Sequence, residues 1–263
     1  MRRFLLPLFT SVLVFLALAS PAGAITNGQP DGYQHPYVGM TYVFIDENFV
    51  EFCSGTLISP TVFLTAGHCT SDFAAIGSQV YVTFQPEADF DPANALTGTP
   101  YTHPDFCIGC APGLPGFDTY DVGVVVLDQP YNDLEFFGAL PAELQVNDLA
   151  KGSLLTAVGY GVRDFAHGGG QPTPVGYADR YFATVKFINV NNVIGDMFIK
   201  HSGNPGQGKG GTCFGDSGGP IFADDQVTVL GVTSFGTNGN CAGNGYAQRI
   251  DRADVLSWID QFL

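Results

Sequence analysis

Gly215-Asp216-Ser217-Gly218-Gly219-Pro220 is the stretch of this chain that predicts most about its fold and chemistry. It places one hydroxyl on a glycine-rich turn, where a nucleophile has room and backbone N–H groups surround it. A serine hydroxyl is a weak nucleophile, so it needs a general base and a third group that orients the base. The stretch therefore predicts an imidazole and a carboxylate elsewhere in the sequence.

Two upstream motifs supply these groups. Thr65-Ala66-Gly67-His68-Cys69 contains an imidazole, and Asp121-Val122-Gly123-Val124-Val125-Val126-Leu127 puts a carboxylate at the head of an apolar strand. Asp118 is a competing carboxylate, but the apolar strand directly follows Asp121. The order His, Asp, Ser differs from that of subtilisin-like chains, which run Asp, His, Ser, and from that of α/β-hydrolases, which run Ser, Asp, His.

At these three motifs the chain resembles the trypsin/chymotrypsin-like serine protease family, from which the general description of the Ser-His-Asp triad is drawn. Further matching motifs extend over nearly the whole chain after residue 24: Cys53-Ser54-Gly55-Thr56-Leu57-Ile58-Ser59, His103-Pro104-Asp105-Phe106, Val158-Gly159-Tyr160-Gly161, Ser234-Phe235-Gly236 and a C-terminal helix around Trp258. The resemblance implies an all-β fold of two six-stranded antiparallel β-barrels with a C-terminal α-helix. Residues 25–135 are expected to form the first barrel and residues 136–263 the second.

The resemblance also implies roles for individual residues. Ser217 is expected to attack the scissile carbonyl, His68 to accept its proton, and Asp121 to orient the imidazole. The backbone N–H groups of Gly215 and Ser217 are expected to form an oxyanion hole, since glycine at 215 leaves the backbone free to turn. This chemistry needs no metal and no organic cofactor, so neither is predicted.

Residues 1–24 have the pattern of a secretory signal peptide. Arg2 and Arg3 precede an apolar run, and Ala22-Gly23-Ala24 is a small-residue cleavage site. The alternative is a membrane anchor, but Pro7 interrupts the run, which is shorter than the roughly 20 residues of a spanning helix. A secreted, extracellular protein is therefore expected.

Asp216 raises a question about activation. In the family the equivalent carboxylate pairs with the α-amine of a newly formed N-terminus, and this pairing completes the oxyanion hole. The matching segment here is Ile25-Thr26-Asn27-Gly28, directly after the expected cleavage site. The hypothesis is that signal cleavage itself frees the Ile25 amine, with no separate propeptide.

The pocket residues predict a preference for neutral side chains in protein or peptide substrates. Where trypsin-type enzymes carry an aspartate at the pocket base, this chain has Gly211, followed by Thr212. Ser234-Phe235-Gly236 resembles the strand that pairs with the substrate backbone, and Gly236 leaves the pocket mouth open. Arginine and lysine would lack a buried carboxylate partner, so apolar or aromatic side chains are expected.

Six cysteines in an exported protein imply three disulfides, and the sequence alone allows 15 pairings. The resemblance implies two of the pairs and leaves the third as a local one: Cys53 with Cys69, Cys213 with Cys241, and Cys107 with Cys110. The local Cys-x-x-Cys with His103 nearby is alternatively a zinc site or a redox motif.

Charge and length narrow the possible partners. The chain has 263 residues, with 10 basic and 25 acidic ones, and a net charge of −15. Nucleic acid and anionic membranes are therefore not expected as partners. The acidity either steers cationic substrates or keeps a secreted protein soluble. Nothing in the sequence indicates oligomerisation, so a monomer is expected.

Short β-branched and aromatic runs between turn residues predict strands at 37–45, 80–84, 154–158, 181–190 and 227–232. Helical periodicity is confined to the C-terminus, where Asp251 or Asp254 is expected to cap one helix. Glycine-rich stretches at 166–176 and 202–211 are expected to be loops that shape substrate choice or act only as linkers.

Two other functions are compatible with the motifs. One is a catalytically silent family member that acts as a binding protein, and the other is an esterase that uses the same acyl-transfer steps. The intact triad and oxyanion glycine favour a serine endopeptidase over both.

Overall fold

The computed structural model describes residues 25–46, 49–110, 117–166, 173–190, 196–203 and 210–263. These residues form two closed antiparallel β-barrels of six strands each, followed by a short C-terminal helix. The predicted fold class is therefore confirmed.

The first barrel follows a two-residue strand, Gln29–Pro30 (β1). Its six strands are Val38–Asp46 (β2), Phe49–Leu57 (β3), Val62–Thr65 (β4), Val80–Thr83 (β5), Leu96–Thr102 (β6) and Gly123–Leu127 (β7). They close in the order β2-β3-β4-β7-β6-β5 around buried aliphatic and aromatic side chains, which pack well on a pleated surface. Thr65 at the end of β4 pairs with Gly123 at the start of β7. This pairing brings the segments that contain His68 and Asp121 to the same end of the barrel.

The second half of the chain contains eight strands: Leu154–Gly159 (β8), Asp164–Ala166 (β9), Thr173–Val175 (β10), Tyr181–Asn189 (β11), Phe198–Ser202 (β12), Pro220–Phe222 (β13), Val229–Gly236 (β14) and Asn244–Arg249 (β15). Six of them close the second barrel in the order β11-β12-β15-β14-β13-β8, and β1 is added beside β11. Strands β9 and β10 form a separate hairpin. Ser217 lies on the turn that leads into β13.

The predicted strands are present with shifted ends. The last of the five predicted strands, 227–232, starts at Val229 and runs on to Gly236. The expectation that 166–176 contains no regular strand is wrong, because β10 falls inside it and pairs with β9. Pro174 is tolerated there, since the hairpin has no neighbouring strand that needs its missing N–H. The remainder of this stretch and most of 202–211 lie outside the described residues.

The described segments contain two α-helices where the sequence predicts one: Gly67–Ile76 (α1) and Ala253–Ile259 (α2). The predicted caps of α2 are wrong, because Arg252 is the N-cap residue and no side chain caps the helix. The Asp251 carboxylate instead accepts hydrogen bonds from Arg249 and from the Val146 N–H. That of Asp254 accepts one from the Tyr120 hydroxyl.

The predicted signal peptide, residues 1–24, lies outside the described residues. In the part of the chain that is described, every helix is too short or too polar to span a membrane.

A buried ion pair joins the two barrels. Arg180, directly before β11, bonds the Asp31 carboxylate through Nε at 2.8 Å, and both side chains are 0 % exposed. The same guanidinium donates to the carbonyl oxygens of Val38 and Phe84 in the first barrel. Asp31 also accepts a hydrogen bond from the His35 ring. Removal of one partner would therefore leave several buried polar groups unsatisfied.

We expect Arg180→Met to lower the free energy of unfolding by about 3–5 kcal/mol, because it leaves the Asp31 carboxylate buried without its cation. Urea denaturation measures this change. The control is Arg252→Met, which removes an exposed pair with Asp196 that has the same 2.8 Å separation. It should cost less than about 1 kcal/mol. Equal losses in the two variants would contradict the prediction.

Candidate active site

His68 is the second residue of α1 and sits where β4 ends. Ala66 precedes the helix in an extended conformation, so the chain turns directly from the strand into the helix. Cys69, next to His68, is bonded to Cys53 on β3 and attaches the helix to the sheet. The His68 side chain is 26 % exposed, so its ring is accessible from the cleft between the barrels.

Asp121 is the carboxylate that binds the imidazole. Its Oδ2 lies 2.9 Å from His68 Nδ1, and its Oδ1 accepts the His68 backbone N–H at 2.7 Å. An ionised carboxylate only accepts hydrogen bonds, so the ring proton is on Nδ1. In the neutral imidazole, Nε2 is therefore left as a proton acceptor that faces away from Asp121.

Two further residues complete the surroundings of Asp121. The Ser234 hydroxyl donates to Oδ2, and the Asp121 backbone N–H donates to the side-chain oxygen of Gln248 at 3.3 Å. Sequence reasoning predicts Ser234 only as a substrate-binding residue and misses Gln248 altogether. No local pattern indicates Gln248, because it reaches Asp121 across 127 positions of the chain.

The pKa values of Asp121 and His68 are shifted in opposite directions. Burial disfavours the ionised form of Asp121, but the adjacent His68 outweighs burial and holds the pKa of the carboxyl below its usual range. Burial also disfavours the charged form of His68, but the carboxylates of Asp121, Asp118 and Asp72 outweigh it and raise the pKa of His68 to about 9. Each ionised group therefore stabilises the other.

Asp118 lies beside the pair without bonding to the ring. Its Oδ1 accepts the Gly109 N–H at 2.8 Å, and burial raises the pKa of its carboxyl. Ligand-type atoms of His68, Asp118 and Asp121 all lie within 4.8 Å of one another, which is a spacing that a metal site can use. Because hydrogen-bond donors already occupy both oxygens of Asp121, the group fits an acid–base pair better than a metal site.

Ser217 lies on a tight turn that packs against the start of α1. Gly218 has a φ of +77°, and a Cβ there would be 2.0 Å from Thr65 Oγ1 and 2.6 Å from Ala66 N, so only glycine fits. Gly218 N–H donates to the Thr233 carbonyl at 2.7 Å, and the Ser217 carbonyl accepts the Ser54 N–H at 2.8 Å. These contacts fix the turn between both barrels and beside the residues that lead into His68.

Two amide N–H groups of this turn are free. Asp216, Gly218 and Gly219 donate to other backbone groups, whereas Gly215 and Ser217 donate to no protein acceptor among the described residues. Gly215 has a φ of +90°, a conformation that side chains disfavour. The two free donors are the N–H groups that the resemblance assigns to an oxyanion hole.

The turn that carries Ser217 packs against Ala66, two residues before His68, but the Ser217 hydroxyl and the His68 ring form no hydrogen bond within the described part of the chain. In enzymes without substrate, catalytic hydrogen bonds are often long and shorten only when the substrate is bound. The structure therefore brings His68 and Asp121 together and leaves Ser217 adjacent to them.

Asp216 is fully buried beneath the turn. Its Oδ1 accepts the Gly161 N–H and its Oδ2 the Cys213 N–H, each at 2.8 Å. No cation pairs with it among the described residues, and burial raises the pKa of its carboxyl to about 7. Ile25 is 0 % exposed, and Thr26 beside it bridges to Gly211. With Ala24 still attached, Ile25 has no free amine to pair with Asp216.

A cleft of about 500 Å³ opens beside Ser217 and is mostly apolar. Of the predicted substrate-binding residues, Thr212, Ser234, Phe235 and Gly236 line it, and a Cβ at Gly236 would contact nothing within 4 Å. The fifth, Gly211, lies below the cleft floor. The described lining of this cleft contains no carboxylate.

The structure contains the three disulfides Cys53–Cys69, Cys107–Cys110 and Cys213–Cys241. The third forms part of the wall of the cleft. The bond between Cys107 and Cys110 leaves no thiolate for the alternative zinc site. His103 stacks against Tyr120 and Trp258, which accounts for its burial.

Comparisons with known proteins agree with this geometry. The family model described as Trypsin matches residues 25–259. The tryptase of Mus musculus is 28 % identical over 83 % of this chain and 81 % of its own length. The glucanase inhibitor protein 2 of Phytophthora infestans is 25 % identical over 73 % of this chain and 72 % of its own. The solved structure of HL collagenase superposes with a TM-score of 0.65 at 20 % identity, over 88 % of this chain and 94 % of that one, and shows a shared fold.

Proposed function

The chain belongs to the trypsin family of serine proteases, and from this membership we propose that it is a secreted serine endopeptidase. It would hydrolyse peptide bonds through an acyl-enzyme formed on Ser217, with His68 as the general base and Asp121 as the group that orients it. Its substrates are proteins or peptides, and the reaction needs no cofactor.

One observation carries the proposal: the unpaired N–H groups of Gly215 and Ser217 lie on the turn that carries the hydroxyl, beside a histidine whose tautomer is set by Asp121. The other three N–H groups of this turn, those of Asp216, Gly218 and Gly219, are bonded to backbone carbonyls, so the two free donors are the exceptions. A turn with a purely structural role would have no use for them, whereas an acyl-transfer site needs donors where negative charge develops.

The first half-reaction follows from these positions. As Ser217 Oγ attacks the scissile carbonyl carbon, its proton moves to His68 Nε2, and the carbonyl oxygen becomes an oxyanion between the two N–H groups. The imidazolium, stabilised by Asp121, then gives this proton to the leaving amine nitrogen as the C–N bond breaks. In the second half-reaction, water replaces the amine, and His68 takes a proton from it before Ser217 is released.

The neutral lining of the cleft supports a preference for apolar or aromatic side chains at the residue before the scissile bond. Thr212 and Gly211 stand where a carboxylate would be needed to bind a cationic side chain. Residues 1–24 would direct secretion, and the monomer would act alone.

Labelling with a fluorophosphonate tests the proposal. The probe should form an adduct on Ser217 of the purified protein, and Ser217→Ala should abolish both the adduct and the cleavage of a diverse peptide library. A folded protein that neither reacts with the probe nor cleaves any peptide would refute the endopeptidase function.

A catalytically silent binding protein is the second candidate. It is favoured by the likeness to glucanase inhibitor protein 2 and by the lack of a hydrogen bond between Ser217 and His68. This candidate predicts that the probe forms no adduct, although a cooperative thermal transition shows that the protein is folded. An esterase predicts an adduct together with turnover of esters but not of peptides.

The rate should depend on pH through His68, because only the neutral imidazole can accept the Ser217 proton. Its pKa is raised to about 9, so kcat/KM should increase as the pH rises toward 9 and then level off. Asp118→Asn removes one of the carboxylates that raise this pKa, so the midpoint should move to lower pH. A profile measured from pH 5 to 10 on both proteins tests this. An unchanged midpoint in Asp118→Asn would contradict it.

A further inference from the structure

A buried histidine below the cleft plays no part in this mechanism. His201, on β12, is 0 % exposed, and neither of its ring nitrogens has a hydrogen-bond partner among the described residues. Buried polar groups are normally satisfied, since leaving one unpaired costs free energy. An unpaired imidazole at this depth therefore requires an explanation, and a ligand that enters from the cleft is one.

His201 lies directly under the cleft floor. A Cβ built on Gly245 would be 2.4 Å from its Cε1, so the ring packs against a backbone without a side chain. A cavity of about 10 Å³ is lined by His201 and Gly211. This cavity shares five lining residues with the cleft beside Ser217: Thr212, Gly236, Thr237, Asn238 and Cys241. The cavity therefore adjoins the cleft at these shared residues.

The chemistry of the ring restricts its partner. Burial lowers the pKa of His201 to about 4, so the ring is neutral at neutral pH and offers one donor and one acceptor. The lining described for the cleft and the cavity contains no lysine or arginine, so an acidic side chain would be buried without a cation. A basic side chain would find no carboxylate. A neutral group that both donates and accepts is the complementary ligand.

We propose, on the basis of the proposed protease function, that His201 determines specificity in the cavity that adjoins the cleft by binding the hydroxyl of a substrate tyrosine. The mostly apolar cleft suits an aromatic ring, and the Cys213–Cys241 disulfide and Gly236 are among its lining. The hydroxyl at the far end of that ring would reach the imidazole. Glutamine has the right polar groups, but it lacks an apolar body that matches these walls.

Turnover of matched peptides tests the proposal. Three substrates should differ only in the residue before the scissile bond: tyrosine, phenylalanine or glutamine. We expect kcat/KM for tyrosine to exceed that for phenylalanine by at least about tenfold. Phenylalanine has no hydroxyl, so the imidazole would stay unpaired when phenylalanine occupies the pocket. In His201→Phe the ratio should fall to about one, mainly through loss on tyrosine. His201→Gln, which keeps a donor and an acceptor, should retain part of the preference.

Any of three results would overturn the proposal. The tyrosine-to-phenylalanine ratio of kcat/KM could be near one in the wild type, it could be unchanged in His201→Phe, or glutamine could be turned over better than tyrosine. Binding to Ser217→Ala separates it from the proposed activity. There, p-cresol should bind at least about tenfold more tightly than toluene in ligand-observed NMR. If no peptide is cleaved but p-cresol is still preferred, the protease function fails and the role of His201 stands. If peptides are cleaved but neither tyrosine nor p-cresol is preferred, the role of His201 fails and the protease function stands.

Discussion

Replacement of Asp121 by asparagine should lower kcat about 10⁴-fold with little change in KM or stability. This magnitude is known for the same change in the family from which the triad description comes, and it is not calculated for this chain. The physical reason lies in the donors around Asp121. The His68 backbone N–H and the Ser234 hydroxyl both donate to its carboxylate, in addition to His68 Nδ1.

Asparagine offers one acceptor oxygen in place of two. If that oxygen keeps the bond from the His68 N–H, the amide NH₂ group takes the place of Oδ2, where it faces His68 Nδ1 and the Ser234 hydroxyl. Because NH₂ only donates, Nδ1 would become the acceptor and the ring proton would move to Nε2. A protonated Nε2 cannot take the Ser217 proton. The loss should therefore appear in kcat, measured by steady-state kinetics at pH 9–10.

The matched control is Asp118→Asn, which removes a carboxylate of the same site that does not bond to the ring. On the plateau of its pH profile, its kcat should lie within about threefold of wild type, because the tautomer of His68 is unaffected. Equal losses in both variants would mean that charge near the imidazole matters and orientation does not. A mild loss in Asp121→Asn would reject the assigned role of Asp121.

The fold and the chemical groups are predicted through the family resemblance, which depends on short local motifs. Strand patterns mark five of the fifteen described strands, and the residues around His68, Asp121 and Ser217 form compact motifs. The structure adds α1, which the sequence analysis misses. Its residues show weak amphipathic periodicity, but Gly77 ends the helix in a left-handed conformation, and its N–H bonds the Phe73 carbonyl. A glycine at this position is a C-terminal signal that could have identified the helix.

The parts that could not be predicted depend on contacts between distant segments. Ser234 and Gln248 reach Asp121 only because β14 and β15 lie side by side in the second barrel. His201 becomes a pocket residue only because β12 pairs with β15, which places the imidazole opposite Gly245. Pairings of this kind are set by barrel closure, so no single motif contains them. The wrong caps of α2 have the same origin, since Asp251 is already bonded to the distant Val146.

The position of the N-terminus should have the second-largest effect on activity, after the triad. We expect the chain that begins at Ile25 to be active, and the same chain with Ala24 retained to lose about 10²–10³-fold in kcat, the size of effect seen when an oxyanion donor is lost. Asp216 lies directly between Gly215 and Ser217, whose N–H groups form the proposed oxyanion hole. A free Ile25 amine would pair with that carboxylate and stabilise the turn. With Ala24 attached, the Ile25 nitrogen is an uncharged amide and cannot form this ion pair. N-terminal sequencing of the secreted protein should give Ile25 as the first residue.

Stability gives an independent measurement of the same pairing. In the extended chain the pKa of Asp216 is about 7, above its unfolded value of 3.8. Its contribution to stability is therefore fully present below pH 3.8 and is lost as the pH rises through 7, by up to about 4 kcal/mol. The chain that begins at Ile25 should lack this loss, since its amine favours the ionised carboxylate. Thermal unfolding of both chains between pH 4 and 8.5 tests this, with Asp216→Asn in the extended chain as the control that should remove the pH dependence. Parallel curves for the two chains, together with equal activities, would show that Ile25 and Asp216 do not form the pair.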